Sequence, residues 1–218
     1  MSTDATTRTI VLVTAGLGQP SSTRLLGDRL AAATDRALRL HGEQAVVHVV
    51  DLRELAHALT DNLLTGFPSG DLATAVERVR EADGLIAVTP VFNASYSGLF
   101  KTFFDVLEQG TLDGTPVLMA ATGGTARHSL ALDYAMRPLF AHLRAIAVST
   151  AVFGATEDFG SAGDGALSVR VERAGQELAA LVAARPASET RAARATSGPT
   201  DPAELPGFTP FEELLGSR

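Results

Sequence analysis

Along the chain, short runs that are apolar throughout alternate with longer stretches in which apolar residues recur every three or four positions. Thr9–Ala15 (TIVLVTA) is β-branched and apolar and ends at Gly16, the form of a strand buried on both faces that runs into a tight turn. From Thr23 to Leu40, the residues Leu26, Leu30, Ala33, Ala37 and Leu40 keep helical spacing with charged residues mostly between them, so an amphipathic helix is predicted, stopped by Gly42. Ala45–Val50 is a second strand. A looser stretch with Asn62, Gly66, Pro68 and Gly70 leads to a helix over about Asp71–Ala82 and a third strand, Leu85–Thr89. A helix over about Ser97–Gln109, a fourth strand at Val117–Ala121, a long helix over about Ser129–Arg144 and a fifth strand near Ile146–Val152 continue the alternation. The last regular element is a helix over about Asp164–Ala184, with Ser161 and Asp164 spaced for a capping box.

Strands alternating with helices imply an α/β fold, a parallel sheet covered on both faces and wound in two directions from a central first strand. Five strands in the order 2-1-3-4-5 put the topological switch point between strands one and three, and ligands in such sheets bind beyond the carboxyl ends of the strands there. From Arg185 onward the chain is rich in Ala, Ser, Thr, Pro and Gly without a period, so residues 1–184 are expected to form one domain and 185–218 a linker-like tail. Near its end, around 205–215, Phe208, Phe211, Leu214 and Leu215 form an apolar cluster, either a docking segment or a frayed terminus.

Composition removes several function classes. The 218 residues carry 18 Lys+Arg against 25 Asp+Glu, a formal charge of -7, which does not suit a nucleic-acid-binding surface. Without cysteine there is no disulfide, thiol nucleophile or thiolate metal centre. The histidines (His41, His48, His57, His128, His142) lack ligand spacing, so no metal site is expected. No signal-peptide pattern and no apolar run of membrane-spanning length is present, and a cytoplasmic, non-membrane protein is the expectation.

The loops after strands one, three and four are all unusual. In the first, AGLGQPSSTRLL, the hydroxyls of Ser21, Ser22 and Thr23 arrive where a helix begins, and free backbone N–H groups with hydroxyl donors make a phosphate cradle. Helix capping would need only one of the three. Neither a GxGxxG fingerprint nor a Walker motif is present. The second loop, TPVFNASYSGLFKTFFD, leaves its strand through Pro90 and sets Phe92, Asn93, Ser95 and Tyr96 ahead of a helix. An aromatic beside amide donors suits a flat heteroaromatic ligand, although Phe92, like Phe103 and Phe104, also fits a core position. In the third, ATGGTARHSLALDYAMRPLF, Gly123 and Gly124 let a ligand approach the main chain, flanked by Thr122 and Thr125; a plain strand-to-helix turn would look the same. Pro138 removes a donor inside the predicted helix, so a kink or wide turn is expected over Tyr134–Pro138.

These segments resemble the NADPH-dependent FMN reductase family of the flavodoxin-like fold, and most closely the FMN reductase components of two-component flavin monooxygenase systems. The resemblance runs over about Thr9–Glu157 and is carried by SSTRLL, DGLIAVTPVFNASYSGLFKTFFD and ATGGTARHSLALDYAMRPLF. SSTRLL departs from the family's more usual GSxRxxS form. The resemblance implies FMN with its phosphate at Ser21, Ser22 and Thr23. Its ring would lie between Pro90, Val91, Phe92, Asn93 and Tyr96 on one side and Thr122, Gly123, Gly124 and Thr125 on the other. It also implies that Tyr134 sits in a widened helical turn at a subunit interface near the flavin, as a modulator of the site. NADPH is the implied hydride donor, with Arg127 and His128 as candidates for its phosphates; an exposed cation at a helix start is the plainer reading of Arg127. Hydride transfer between two stacked rings needs orientation, exclusion of water and N–H donors at the growing charge rather than an acid–base pair, so no catalytic side chain is expected.

The implied function is reduction of FMN by NADPH and delivery of the reduced flavin to a partner monooxygenase, in a homodimer or homotetramer. Two alternatives use the same loops: a reductase that retains its flavin and passes electrons to quinones or azo dyes, and a flavodoxin-type electron carrier that is not an enzyme. The absence of tryptophan and the extra helix and tail count against the carrier.

Overall fold

A computed structural model describes residues 6–160 and 164–186. The first strand, β1 (Thr7–Thr14), lies parallel to β2 (Gln44–Asp51) on one side and to β3 (Gly84–Phe92) on the other. Beyond β3 lies β5 (Pro116–Gly123), again parallel, with Leu85 opposite Val117 and Pro90 opposite Thr122. The outer edge is shared by two short strands, β6 (Ile146–Ala147) on the beginning of β5 and β7 (Val152–Ala155) on its end. The order β2-β1-β3-β5-β6/β7 is the expected 2-1-3-4-5 winding, with the fifth strand in two pieces.

Alternate residues of each inner strand feed two cores, which is why the strand sequences are apolar throughout. Val11, Val13, Leu85, Ala87, Val117 and Met119 face the layer made by α3 (Gly70–Glu81), α4 (Gly98–Asp105) and α5 (Arg137–His142), where Phe140 packs edge to face on Phe100 and Phe104, and Phe104 does so on Phe103. Ile10, Leu12, Ile86, Val88, Leu118 and Ala120 face α1 (Ser22–Leu40) and α6 (Asp164–Ala183). Phe103 and Phe104 are thus core, as their spacing allowed.

Four elements depart from the sequence expectations. The stretch expected to be loose contains α2 (Ala56–Thr65), ended by Gly66 at φ 80, a left-handed cap. Only Leu59 and Asn62 of that helix are buried, so it carries no apolar stripe. The helix expected to reach Gln109 stops at Asp105. In place of the long helix over Ser129–Arg144 stand a π turn at Leu132–Met136 and α5, with a 3-10 turn at Ala126–His128 ahead of them. In that π turn the Arg137 N–H donates to the carbonyl of Leu132, five residues back, and Pro138 follows without an N–H to restore the four-residue pattern. The fifth strand, expected as one run over Ile146–Val152, is interrupted because Thr150 turns away from the ladder. Its N–H donates to Glu177 Oε2 at 2.7 Å and its hydroxyl to Oε1 at 2.6 Å, tying it to α6. Ser161 of the expected capping box and the cluster Phe208, Phe211, Leu214 and Leu215 lie outside the described residues.

At the amino edge of the sheet, Arg8 is 3% exposed and donates to both carboxylate oxygens of Glu43, at 3.0 and 2.6 Å. Asp83 accepts from the Thr9 N–H at 2.8 Å beside it. This cluster staples β1 to the turns before β2 and β3, leaving the opposite, carboxyl edge for the loops.

Candidate functional site

The switch-point loops meet at the carboxyl edge around a cleft of about 300 Å³. At one end stands the start of α1. Ser21 is the N-cap: its Oγ accepts from the Arg24 N–H at 3.1 Å, and its carbonyl accepts from the Leu25 N–H at 3.0 Å. The N–H groups of Ser22 and Thr23, first in the helix, have no residue one turn back to donate to and remain available to an anion. Gly16 lets this loop fold on itself, since a Cβ there would lie 2.1 Å from Ser21 Oγ. The three hydroxyls therefore take separate places: Ser21 caps, Ser22 is exposed at the cleft, and the Thr23 hydroxyl lies 2.8 Å from that of Thr122.

The other end is built by β3 and β5. Past Pro90, β3 turns back as a two-residue hairpin onto β4 (Ser95–Tyr96), with Val91 opposite Tyr96 and Phe92 opposite Ser95. The turn residues Asn93 and Ala94 have φ 48 and 68, the left-handed pair that a tight hairpin requires. Thr89 Oγ1 accepts from the Ser97 N–H at 3.0 Å, and Ser97 Oγ then caps α4 by accepting from the Phe100 N–H at 3.2 Å, fixing the hairpin to the helix. Phe92 consequently stands 46% exposed on the cleft rather than in the core. Across from it run Thr122, Gly123 and Gly124. A Cβ on Gly123 would lie 2.9 Å from Phe153, whereas one on Gly124 would meet nothing within 4 Å, so Gly124 borders open space.

Of the predicted site residues, Ser21, Ser22, Thr23, Pro90, Val91, Phe92, Thr122, Gly123 and Gly124 line this cleft. Asn93, Tyr96 and Thr125 do not. Asn93 forms the hairpin turn, Tyr96 packs on Phe100 with ring centroids 5.8 Å apart, and Thr125 precedes the 3-10 turn. Arg127 and His128 are exposed just beyond Gly124 and line no part of it. Tyr134, 79% exposed, projects from the π turn beside a second cleft of about 470 Å³, lined in part by Leu130, Asp133, Arg137, Phe153 and Arg170. Two ion pairs stand there, Arg137 with Asp133 at 3.1 Å and Arg170 with Asp158 at 3.6 Å.

Leu17, Thr156 and Phe159 also line the first cleft and were not anticipated. Thr156 and Phe159 follow β7. A fifth strand ended at Val152 hides their loop, whereas one carried to Ala155 would have delivered it to the same edge. Among the described residues, no charged side chain lines the first cleft. Among the described residues, no group of three His, Asp or Glu is placed to hold a metal ion, and no helix is long and apolar enough to cross a membrane. A phosphate at the hydroxyl end and a planar ring against Phe92 and Gly124 fit what is there: free N–H groups at a helix start, an aromatic face, and main chain bare of side chains.

A family model for NADPH-dependent FMN reductase matches residues 8–160. The chain belongs to that family. It is an oxidoreductase whose ligands are FMN and a nicotinamide nucleotide. An FMN reductase (NADPH) of Pseudomonas aeruginosa is 35% identical over 150 residues, 69% of this chain and 78% of that one. An NADH-dependent FMN reductase, SfnE, of Pseudomonas putida is 35% identical over 181 residues, 80% of this chain and 92% of that one. The X-ray structure of an oxidoreductase from Corynebacterium diphtheriae superposes with a TM-score of 0.81 at 43% identity, covering 84% of this chain and all of that one. The family matches the expectation drawn from the three loops, and the sheet order is that of its flavodoxin-like fold.

Proposed function

We propose that this chain uses NADPH to reduce FMN as a diffusible substrate and passes the reduced flavin to a flavin-dependent monooxygenase. The observation that carries the reading is the meeting of three loops, far apart in sequence, in one cleft with hydroxyls and helix N–H groups at one end and Phe92 and Gly124 at the other. Ser22 and the N–H groups of Ser22 and Thr23 hold the phosphate, with Ser21 and Thr23 shaping that end. Pro90, Val91 and Phe92 give the ring its apolar face. Bound FMN supplies the hydride-accepting ring. The main-chain N–H groups of Gly123 and Gly124, which border the cleft, steady the charge that grows there, which suits a site that has no titratable side chain among the described residues.

Arg127 and His128, exposed beyond Gly124, are the proposed contacts for the phosphates of the dinucleotide. Similar proteins named for NADPH and for NADH are equally identical to this chain, at 35% each. Residues 1–184 make up the proposed reductase domain, with 185–218 outside it; the family match over residues 8–160 falls wholly within that domain. Leu130 and Tyr134, 61% and 79% exposed around the second cleft, support a homodimer or homotetramer packed through the π turn. Dependence on reduced nicotinamide nucleotide supports a cytoplasmic location.

Steady-state oxidation of NADPH and of NADH, each with and without added FMN, tests the reading. Protein that purifies colourless and oxidises NADPH only when FMN is added supports it. A tightly yellow protein that turns over without added flavin points to the quinone-reductase alternative. A protein that binds flavin but leaves it oxidised after mixing with NADPH is a carrier.

A further inference from the structure

The phosphate end of the cleft is bounded by a residue from outside the three switch-point loops. Phe159 stands on the short turn Thr156–Phe159 after β7, and its ring is held from several sides. Gly154 has no side chain beneath it, and a Cβ there would lie 2.9 Å from Phe159 Cζ. Leu26 closes on the same point, 3.5 Å from it, and the Arg29 guanidinium lies 5.9 Å from the centroid of the ring. Ser22, Leu26 and Arg29 are spaced i, i+4 and i+7, so the ring packs along the stripe of α1 that begins at the phosphate-binding hydroxyl. The turn itself is pinned where Asp158 accepts the Ala155 N–H at 2.8 Å and pairs with Arg170 at 3.6 Å.

An aromatic ring fixed in this way is a rigid, apolar wall. A flavin that ends in one phosphate stops at Ser22. One that continues into a diphosphate and an adenosine must carry a second charged phosphate past the ring, whose apolar face offers it no hydrogen bond. We infer that Phe159, held by Gly154, Leu26 and Arg29, is a specificity-determining residue that selects flavin mononucleotide over flavin adenine dinucleotide. The inference rests on the proposed placement of the phosphate at the start of α1.

The test is kcat/KM with NADPH for FMN, FAD and riboflavin, in the wild-type chain and in the variants Phe159→Ala, Phe159→Tyr and Arg29→Gln. The wild type is expected to favour FMN over FAD by at least about tenfold, roughly 1.4 kcal/mol. Phe159→Ala should shrink that ratio about tenfold through KM for FAD, leaving riboflavin unchanged relative to FMN. Phe159→Tyr should keep the wild-type ratio, and Arg29→Gln should fall between. A wild type indifferent to FMN and FAD overturns the inference, as does a Phe159→Ala ratio that stays put or a parallel loss with all three flavins. If the wild type reduces no flavin, the proposed function itself falls; if it reduces FMN and only the ratio fails to move, the wall alone is wrong.

Discussion

The hydroxyl oxygens of Thr23 and Thr122 lie 2.8 Å apart across 99 residues of chain, joining the start of α1 to the end of β5 beneath the cleft. Both residues are buried, at 3% and 4% exposure, so neither hydroxyl has water to fall back on. Thr122→Val strands the Thr23 hydroxyl and should cost about 1–3 kcal/mol, while the double variant Thr23→Val/Thr122→Val, which removes both polar groups, should recover most of that loss. Denaturant unfolding of the four species of this cycle measures the coupling; costs that simply add would show that the two hydroxyls do not depend on each other.

Adjacent glycines should respond in opposite ways. A side chain on Gly124 projects into open space, whereas one on Gly123 runs into Phe153. Gly124→Val is therefore expected to fold normally and to weaken FMN binding by more than about tenfold, roughly 1.4 kcal/mol. Gly123→Val should lose stability instead. Quenching of flavin fluorescence, read beside a thermal melt, separates the two; an unchanged FMN affinity in folded Gly124→Val would remove Gly124 from the site.

Most of this architecture is legible in the chain because a strand buried on both faces has to be apolar at every position. Ile10–Val13 and Leu85–Val88, all at 0% exposure, announce themselves for that reason. The first and third loops are legible because hydroxyls at a helix start and paired glycines are chemically conspicuous. Features set by contacts distant in sequence are not. Glu177 interrupts the fifth strand from 27 residues away, nothing in IAVSTAV foretells it, and the end of that strand hid Phe159. The helix α2 escapes notice because solvent meets most of its surface. Pro138 did betray an irregular turn, since a missing N–H is a local property, although the π turn lies at Leu132–Met136, slightly earlier than inferred.

Ala94 holds φ 68 in the hairpin behind Phe92, a conformation that costs an L-residue with a Cβ about 1 kcal/mol or more. Ala94→Gly relieves that cost and gives part of it back through the greater freedom of glycine in the unfolded chain. A net gain of roughly 0.5 kcal/mol is expected, with FMN affinity retained because the hairpin keeps its shape. Chemical denaturation checks the sign, and a destabilised Ala94→Gly protein would mean that the turn is not strained.

At the far edge of the sheet, the Arg8 guanidinium is enclosed with Glu43 and Asp83, and its Nη1 reaches only Asp83 Oδ1, at 4.0 Å. Removing Glu43 leaves a buried cation without its two strong acceptors, and breaking a buried pair from one side typically costs about 3–5 kcal/mol. For a chain of this size that is a fall in Tm of about 6–20 °C. The eight residues of β1 separate this cluster from the cleft by about 26 Å at the usual strand rise, so activity per folded molecule should not change. Calorimetry and FMN-dependent NADPH oxidation on Glu43→Ala test the two halves independently. A Tm within a degree or two of wild type would show that the pair contributes nothing net. A normal Tm loss with a raised KM for FMN would show instead that the amino edge of the sheet communicates with the cleft.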